Sequence, residues 1–297
     1  MIKKNTKFEN HTRNVFDKIH SNQNKNHISK NKISTLLSCE NLKLKKNYFR
    51  NKICADFGCG STGFGALNLL NLGADFVYLV DLKRNIKSNI IKNLKRYSDK
   101  YKIHISSIEK TKFKTNSLDF VLCQGVIHHV NNDEKCFREI HRVLKKNAKC
   151  LITVLGSGGI ITDSLIKIIR PLYYNDKKFK KVFNKIIYGK MNKYKKFYIK
   201  NLDNESKKII NLLNKFVDKD LFLTLQDRIL APKYKTYDEN NLKKRLKNIG
   251  FKKIYRIKRK VKYKNLRRFL SPFYHHWDHD LSRFLYGNGV ISLILTK

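Results

Sequence analysis

Two kinds of apolar pattern alternate along residues 51–155 and predict the architecture of that part of the chain. Short apolar runs rich in β-forming residues are typical of buried strands, whereas apolar residues at three- and four-residue spacing are typical of helices. Because successive parallel strands need crossover connections, the alternation favours a mostly parallel sheet with helices on both faces, a doubly wound α/β fold. The predicted strands are a run that stops at Gly58, then 74–80, 102–106, 119–124 and 150–155, and the predicted helices are 65–74, 84–97 and 133–144.

The segments on either side of this core have other patterns. Residues 1–50 are polar with a few apolar anchors, and we expect them to form an N-terminal helical cap. Residues 156–248 show mainly helical periodicity, which favours a helical lid or substrate insertion over an unstructured loop. Residues 249–297 are expected to complete the sheet with two more strands. These strands are 251–257 and 290–296, and an aromatic and histidine-rich insertion at 260–288 separates them.

The first helix of the lid segment carries an apolar stripe beside basic residues, and Arg170-Pro171 is expected to end it. Such a helix either covers a ligand pocket or lies on an anionic membrane surface. The lid is favoured, because an insertion after the fifth strand leaves the sheet at the carboxyl edge, where ligands of such sheets bind. The stripe consists of Ile160, Ile161, Leu165, Ile168 and Ile169.

The charge of the chain is strongly unbalanced. Its 297 residues include 65 Lys and Arg against 23 Asp and Glu, a formal net charge of +42. This indicates either an anionic partner or a biased composition, and the second is favoured because most basic residues are lysines spread along the whole chain. The sequence contains neither a stretch of about 18 apolar residues nor the apolar region of a secretory signal. We therefore expect a cytoplasmic protein, at most peripheral to a membrane.

Neither the cysteines nor the histidines have the spacing of a metal site. None of the six cysteines forms a CxxC pair, so reduced and buried thiols are expected. The run His275-His276-Trp277-Asp278-His279 holds several potential ligands, but adjacent residues on one short segment seldom all face one ion. An aromatic plug is favoured there, and no metal is predicted.

A glycine loop carries the main chemical signal. Gly58, Gly60 and Gly63 follow a predicted strand and precede a predicted helix, where glycine lets the backbone turn sharply and approach a ligand closely. Asp81 ends the next strand about twenty residues later, where a carboxylate can accept both hydroxyls of a ribose. The spacing satisfies GxGxxG, so a nicotinamide cofactor stays open on spacing alone.

Four successive segments resemble the motifs of class I S-adenosylmethionine-dependent methyltransferases, in particular the group that acts on small molecules and quinone precursors. They are ICADFGCGSTGFG, YLVDL, NSLDFVLCQGVIHHV and FREIHRVLKKNAKCLITVL, in the expected order across residues 51–155. The resemblance implies a Rossmann-like methyltransferase fold with seven strands, the last one antiparallel. It also implies S-adenosyl-L-methionine as the cofactor.

The resemblance further implies which residues hold the cofactor. Asp56 and Gly58 would lie beside its methionine part, and Cys59, Gly60 and Gly63 would shape the loop. Asp81 would bind the ribose, Leu82 would pack on the adenine, and Gln124 and Gly125 would end the fourth strand beside cofactor and substrate. Two departures from the family pattern concern the adenine site and a turn. Ser107 or Glu109 stands near the usual adenine-binding acid, with Ile108 offering a backbone N–H, and Asn147 replaces a glycine turn by a residue that tolerates positive φ.

Methyl transfer asks little chemistry of the protein, because the cofactor supplies the leaving group and alignment supplies much of the rate. A base is needed only where the nucleophile must lose a proton, and His128 or His129 after the fourth strand is the candidate. The favoured acceptor is a small or lipid-like molecule. An RNA acceptor, suggested by the charge, and a nicotinamide-dependent enzyme are the alternatives.

Overall fold

The described residues contain one seven-stranded sheet. The structure, a computed structural model, describes residues 7–21, 36–82, 87–188, 200, 202–208, 226–258 and 277–297. The strands lie in the order β3-β2-β1-β4-β5-β7-β6. Their bounds are β1 Ile53–Phe57, β2 Phe76–Asp81, β3 Tyr101–Ile105, β4 Leu118–Gln124, β5 Leu144–Leu155, β6 Lys253–Arg256 and β7 Val290–Thr296.

Helices occupy most of the connections between the strands. The bounds are α1 Lys7–Ser21, α2 Phe64–Asn71, α3 Lys87–Asn93, α4 Asp133–Val143, α5 Ile160–Asp163, α6 Arg170–Asn175, α7 Lys177–Tyr188, α8 Glu239–Ile249 and α9 Asp280–Tyr286. Side chains cap the first turns of several of them. Asn132 accepts from Lys135 N at 3.0 Å, and Asp238 accepts from Asn241 N at 2.9 Å. Gly250, with φ of 116°, ends α8.

The position of β7 decides between the two fold expectations. β7 pairs antiparallel with both β5 and β6 and lies between them, whereas the other pairs in the sheet are parallel. Dinucleotide-binding sheets of the doubly wound type have the order 3-2-1-4-5-6 without an inserted antiparallel strand. The predicted seven-stranded, mostly parallel sheet is therefore confirmed, and the nicotinamide alternative loses its fold support.

Apolar side chains are buried on both faces of this sheet. One cluster includes Phe57, Phe137 and Ile140, and a second includes Phe49 and Leu69 on the opposite face. Burial on both faces explains why β1, β4 and β5 read as continuous apolar runs instead of alternating ones. The six cysteines are all free and buried in these strands, helices and loops, as predicted.

The chain divides into two compact units. The first contains residues 1–157, 232–260 and 288–297, and the second contains residues 158–231 and 261–287. The predicted lid, 156–248, thus differs from the second unit at its carboxyl end, because α8 belongs with the sheet. The aromatic insertion predicted at 260–288 contributes α9 to the second unit; residues 259–276 lie outside the described part.

The first helical stretch of the second unit departs from its sequence expectation. α5 continues through a π-helical turn, Ser164–Ile169, directly into α6. Pro171 does not end the helix, because it lies in the first turn of α6, where its missing N–H is tolerated. The wider π-turn breaks the 3.6-residue period, so the predicted stripe is not gathered on one buried face. Ile160 and Ile168 are 54% and 57% exposed, and none of the five stripe residues is buried.

Candidate functional site

The sequence-predicted site residues lie at one edge of the sheet, in the first unit. β3, β2, β1 and β4 are neighbours and run parallel, so their carboxyl ends meet at the same edge. The glycine loop follows β1, and the other predicted residues follow the three neighbouring strands. Asp81 and Leu82 are at the end of β2, Ser107 and Ile108 follow β3, and Gln124, Gly125, His128 and His129 follow β4 or end it.

The glycine loop depends on backbone conformations that other residues rarely adopt. Gly58, Gly60 and Gly63 have φ angles of 76°, 63° and 62°. A Cβ at Gly58 would lie 2.2 Å from Val126 Cγ2, so the loop also passes too close to the segment after β4 for any side chain. The loop is fixed to β2 by hydrogen bonds from Gly58 N and Cys59 N to Val80 O, at 2.7 and 3.2 Å. Sequence alone indicated the turn but not the contact with Val126.

Asp56 is a buried carboxyl group at the start of the loop. It is 4% exposed, and its Oδ2 accepts from Ala66 N at 3.1 Å in the first turn of α2. A Cβ at Gly65 would lie 2.4 Å from the same oxygen, so glycine there allows the approach. Burial raises the pKa of Asp56 to about 7, against the lowering effect of the Ala66 hydrogen bond and with a further contribution from Asp81. Asp56 therefore titrates near neutral pH.

Asp81 connects the second strand to the glycine loop. Its Oδ2 accepts from Gly60 N at 2.9 Å, and its backbone carbonyl accepts from Ser106 N at 3.0 Å. Both Asp81 and Leu82 are half-buried. A half-buried carboxylate fixed at the rim of a glycine loop can accept hydrogen bonds from ligand hydroxyls.

The residues after β3 form a compact turn. Ser107 Oγ accepts from Glu109 N at 3.3 Å, and Glu109 Oε1 accepts from Asn132 N at 2.9 Å, so Glu109 is linked to the start of α4. Ile108 is 5% exposed and its side chain packs in the core. Cys59 is also buried, and burial raises the pKa of its thiol well above the ordinary value. A role for Ile108 or Cys59 toward a ligand is therefore limited to the backbone and to shaping the loop.

The end of β4 leaves space for a ligand. Gln124 Oε1 is buried and has no hydrogen-bond partner among the described residues. Gly125 has φ of 73°, and a Cβ added there would meet no atom within 4 Å. An orphaned buried acceptor beside an open glycine position suits a ligand that carries hydrogen-bond donors.

His128 and His129 lie in a 3-10 turn after β4 and are both buried. The His129 ring has its centroid 4.8 Å from that of Phe16 on α1 and 5.2 Å from that of Tyr234. His129 Nδ1 lies 3.1 Å from Lys233 O, and since a carbonyl only accepts, Nδ1 must carry the proton. The neutral ring then has its lone pair on Nε2. No local pattern indicated the contact between His129 and Phe16, because the two residues are more than a hundred positions apart in the chain.

The segment 232–237 runs along the turn and the start of α4. Lys235 N donates to His128 O at 2.9 Å, and Lys235 Nζ donates to Asp133 Oδ1 at 2.6 Å. Asp133 Oδ2 accepts from Tyr237 OH at 3.1 Å and from Arg245 at 3.0 Å. Burial acts to raise the pKa of Asp133, but the hydrogen bonds from Lys235 and Arg245 outweigh it, and the pKa is lowered. These side chains hold the segment that contacts both histidines.

The part of the histidine-rich insertion that the structure describes has a structural role. His279 Nδ1 accepts from Leu281 N at 3.2 Å and caps α9. His275 and His276 lie outside the described residues. The absence of a metal, predicted from the spacing, stays a prediction.

The fold and the loop together define a class of protein. A 3-2-1-4-5-7-6 sheet with a glycine loop after β1 and an acidic end to β2 is the architecture that the motif resemblance implied. Residues 55–152 match a family described as a methyltransferase domain. The match covers about a third of the chain and agrees with the class I S-adenosylmethionine-dependent methyltransferase domain that the motifs predicted.

Two curated proteins are similar over part of their length. An uncharacterised protein of Methanocaldococcus jannaschii is 32% identical over 159 residues, which are 50% of this chain and 65% of that protein. Phosphoethanolamine N-methyltransferase 2 of Caenorhabditis elegans is 32% identical over 123 residues, 40% of this chain and 28% of that protein. The matches thus span less than two thirds of either relative.

A solved structure supports the fold over nearly the whole chain. It is the 1,6-didemethyltoxoflavin-N1-methyltransferase of Burkholderia thailandensis with bound 1,6-didemethyltoxoflavin and S-adenosylhomocysteine. The TM-score is 0.53 at 13% identity, and the match covers 98% of this chain and 89% of that one. No helix among the described residues is long and apolar enough to cross a bilayer.

Proposed function

We propose that the protein transfers the methyl group of S-adenosyl-L-methionine to a small or lipid-like acceptor. The observation that carries the proposal is the glycine loop. Its three glycines have left-handed backbone conformations, Gly58 passes within contact of Val126, and Gly60 N donates to the Asp81 carboxylate. The cofactor supplies an activated methyl group on a sulfonium when it is bound. The protein contributes binding, orientation and exclusion of water.

The residues present fit this cofactor on the chemistry of their donors and acceptors. Asp81 would accept from the ribose hydroxyls, and Leu82 would pack against the adenine. The buried Gln124 Oε1 would accept a hydrogen bond from the cofactor or the acceptor, and Gly125 leaves the backbone open beside it. Asp56 would place negative charge near the positively charged methionine part.

His129 is the better of the two candidates for a proton acceptor. Its Nδ1–H donates to the Lys233 carbonyl, which leaves Nε2 as the basic nitrogen and fixes the ring plane. The backbone carbonyl of His128 accepts from Lys235 N, and that contact does not select a tautomer. If the acceptor nucleophile must lose a proton, His129 Nε2 would take it.

A small acceptor is supported by what the relatives act on. The C. elegans relative is named for phosphoethanolamine, and the B. thailandensis enzyme holds 1,6-didemethyltoxoflavin. Both are small molecules. The support for RNA is the net charge of +42 alone.

Calorimetry tests the cofactor assignment. Asp81→Ala should weaken S-adenosylmethionine binding about ten- to hundredfold, because two hydrogen bonds to an ionised acceptor are lost. Asp75→Ala, an exposed aspartate just before β2, is the matched control and should bind as the wild type does. Unchanged binding by Asp81→Ala, or tight binding of NADH by the wild type, would contradict the assignment.

Transfer of a labelled methyl group to fractions of a cell extract tests the acceptor. Label in small organic or aqueous molecules supports the proposal, and label in RNA contradicts it. Once an acceptor is known, His129→Asn should lower kcat much more than His128→Asn does. An equal loss in both variants would exclude a special role of His129 as the base.

A further inference from the structure

The second unit exposes large apolar side chains to solvent. It holds about a quarter of the described residues but seven of their ten exposed large hydrophobic side chains. Isolated exposed apolar residues are ordinary, but a concentration on one small unit indicates a surface that meets something apolar. The seven are Ile160, Ile168, Leu172, Tyr174, Val182, Leu281 and Phe284.

One helix of the same unit, α7, is strongly basic. α7 contains five lysines and no acidic residue, and all five lysines are exposed. Val182, which is 56% exposed, lies directly after two of them in the chain. Lys167, one residue before Ile168, is 72% exposed and forms an ion pair with Asp163 at 2.7 Å. The five lysines are Lys177, Lys178, Lys180, Lys181 and Lys185.

We propose that the helices of residues 160–188 dock on a membrane surface that contains anionic phospholipid. Ile168, Leu172 and Val182 would enter the boundary between headgroups and acyl chains. The surrounding lysines would contact lipid phosphates, which matches the positive charge of the surface to a negative partner. This inference goes beyond the methyl-transfer reaction and does not depend on it.

The surface is held in place before any partner arrives. The Arg170 guanidinium donates to the carbonyls of Arg228, Ile229 and Ala231, at 3.0, 3.0 and 2.6 Å. Tyr174 OH donates to the Leu230 and Ala231 carbonyls, both at 3.1 Å. These bonds fix α6 on the segment 226–231, of which residues 226–230 are helical, so docking would not require the helices to form on binding.

Membrane lipid is favoured over nucleic acid by the chemistry of the exposed residues. RNA-binding surfaces combine basic residues with aromatic rings on which bases stack. Within residues 160–188 four of the exposed apolar side chains, Ile160, Ile168, Leu172 and Val182, have no π face, and Tyr174 is the one exposed aromatic ring among the described side chains. The Tyr174 ring already forms a cation–π contact, because the Arg170 guanidinium lies 5.0 Å from its centroid.

Vesicle flotation of the full chain tests the proposal. Wild-type protein should float with vesicles of equal parts phosphatidylcholine and phosphatidylserine at low salt, and not with phosphatidylcholine alone. High salt should weaken the binding, because the Debye length falls from about 10 Å at 0.1 M to about 3 Å at 1 M. The double change Ile168→Glu with Leu172→Glu should reduce the bound fraction about tenfold or more, because charged groups are expelled from the acyl region.

The matched control is Ile91→Glu on α3, a residue that is 53% exposed in the first unit. It should float as the wild type does, and both proteins should keep the wild-type circular dichroism. The double change Lys180→Gln with Lys181→Gln removes two positive charges. It should lower the fraction of protein that floats and also make flotation less sensitive to salt.

Two flotation results would overturn the proposal: no flotation of the wild type at low salt, or flotation that the double glutamate change leaves intact. Binding of RNA without binding of vesicles would also overturn it. So would a wild-type dimer in sedimentation that the double glutamate change dissociates. Calorimetry of the same variants with S-adenosylmethionine keeps a failure here separate from a failure of the proposed enzymatic function.

Discussion

Replacing Asp56 by Asn removes a buried charge from the proposed cofactor site at almost constant shape. The carboxyl group is 4% exposed, and its only hydrogen-bond donor among the described residues is Ala66 N. An asparagine oxygen can accept the same bond. The change therefore isolates the effect of ionising this group in the core.

The magnitude follows from the displaced pKa. The carboxyl has a pKa of about 7 in the folded protein against 3.8 in an ordinary setting, mainly because of burial. Between pH 3.8 and about pH 7, the carboxyl group is therefore protonated in the folded state and ionised in the unfolded chain. Its stabilising effect is complete below pH 3.8 and lost as the pH rises to about 7, a total of about 4 kcal/mol at about 1.4 kcal/mol per pKa unit.

Urea unfolding from pH 4 to pH 8 measures this loss. The free energy of unfolding of the wild type, relative to Asp56→Asn, should fall through this interval, and the variant should be the more stable protein at pH 8. Asp133 and Glu139 have pKa values that their hydrogen-bond donors lower. The stability that they contribute is therefore lost as the pH falls, whereas that of Asp56 is lost as the pH rises. They are present in both proteins and cancel in the difference. Asp75→Asn should leave the profile unchanged, and parallel profiles for wild type and Asp56→Asn would refute the reasoning.

The same substitution should weaken cofactor binding. A ligand with positive charge near Asp56 favours the ionised carboxylate, so binding at pH 7 should release part of a proton. The calorimetric enthalpy of the wild type should then vary with the ionisation enthalpy of the buffer, and that of the variant should not. The Asp56 charge would thus destabilise the protein without ligand and strengthen its binding of the cofactor. Functional sites often lower stability in this way.

Three further outcomes are expected. Gly58→Ala should destabilise the fold by at least about 1–2 kcal/mol, because alanine is strained at φ of 76° and its Cβ meets Val126, and it should weaken cofactor binding in calorimetry. Arg245→Met should cost about 1–3 kcal/mol in urea unfolding, because Asp133 loses one of its donors, and an unchanged midpoint would count against that contact. Deleting residues 288–297 removes β7 from between β5 and β6, so cooperative melting should disappear; a native melting curve would contradict the role of β7.

Local signals allowed much of the core to be predicted. β7 has the predicted bounds, 290–296, because a buried strand appears in sequence as an uninterrupted apolar run. The glycines of the loop are where glycine is needed, since Gly58, Gly60 and Gly63 all have positive φ. Asn147 also has φ of 61°, as expected of the residue that replaces a glycine turn.

The helical insertion was less predictable, because its periodicity is not that of one α-helix. A π-turn at Ser164–Ile169 shifts every later side chain around the axis, and no residue type announces it. Pro171 was expected to end the helix because proline removes a donor, but a change of helix type creates a new first turn in which that donor is not needed.

The cofactor loop and the surroundings of His129 differ in how far apart along the sequence their residues lie. A cofactor loop is made from backbone turns and short spacings, so Asp56, Gly58 and Gly60 fall within five positions of one another. The side chains around His129 come from α1 and from the segment after residue 231, and their contacts join residues more than a hundred positions apart. Sequence separation of that kind leaves no periodic or local signal. The acceptor class therefore has to be inferred from these tertiary contacts and tested on them, whereas the cofactor can be inferred from a short stretch of chain.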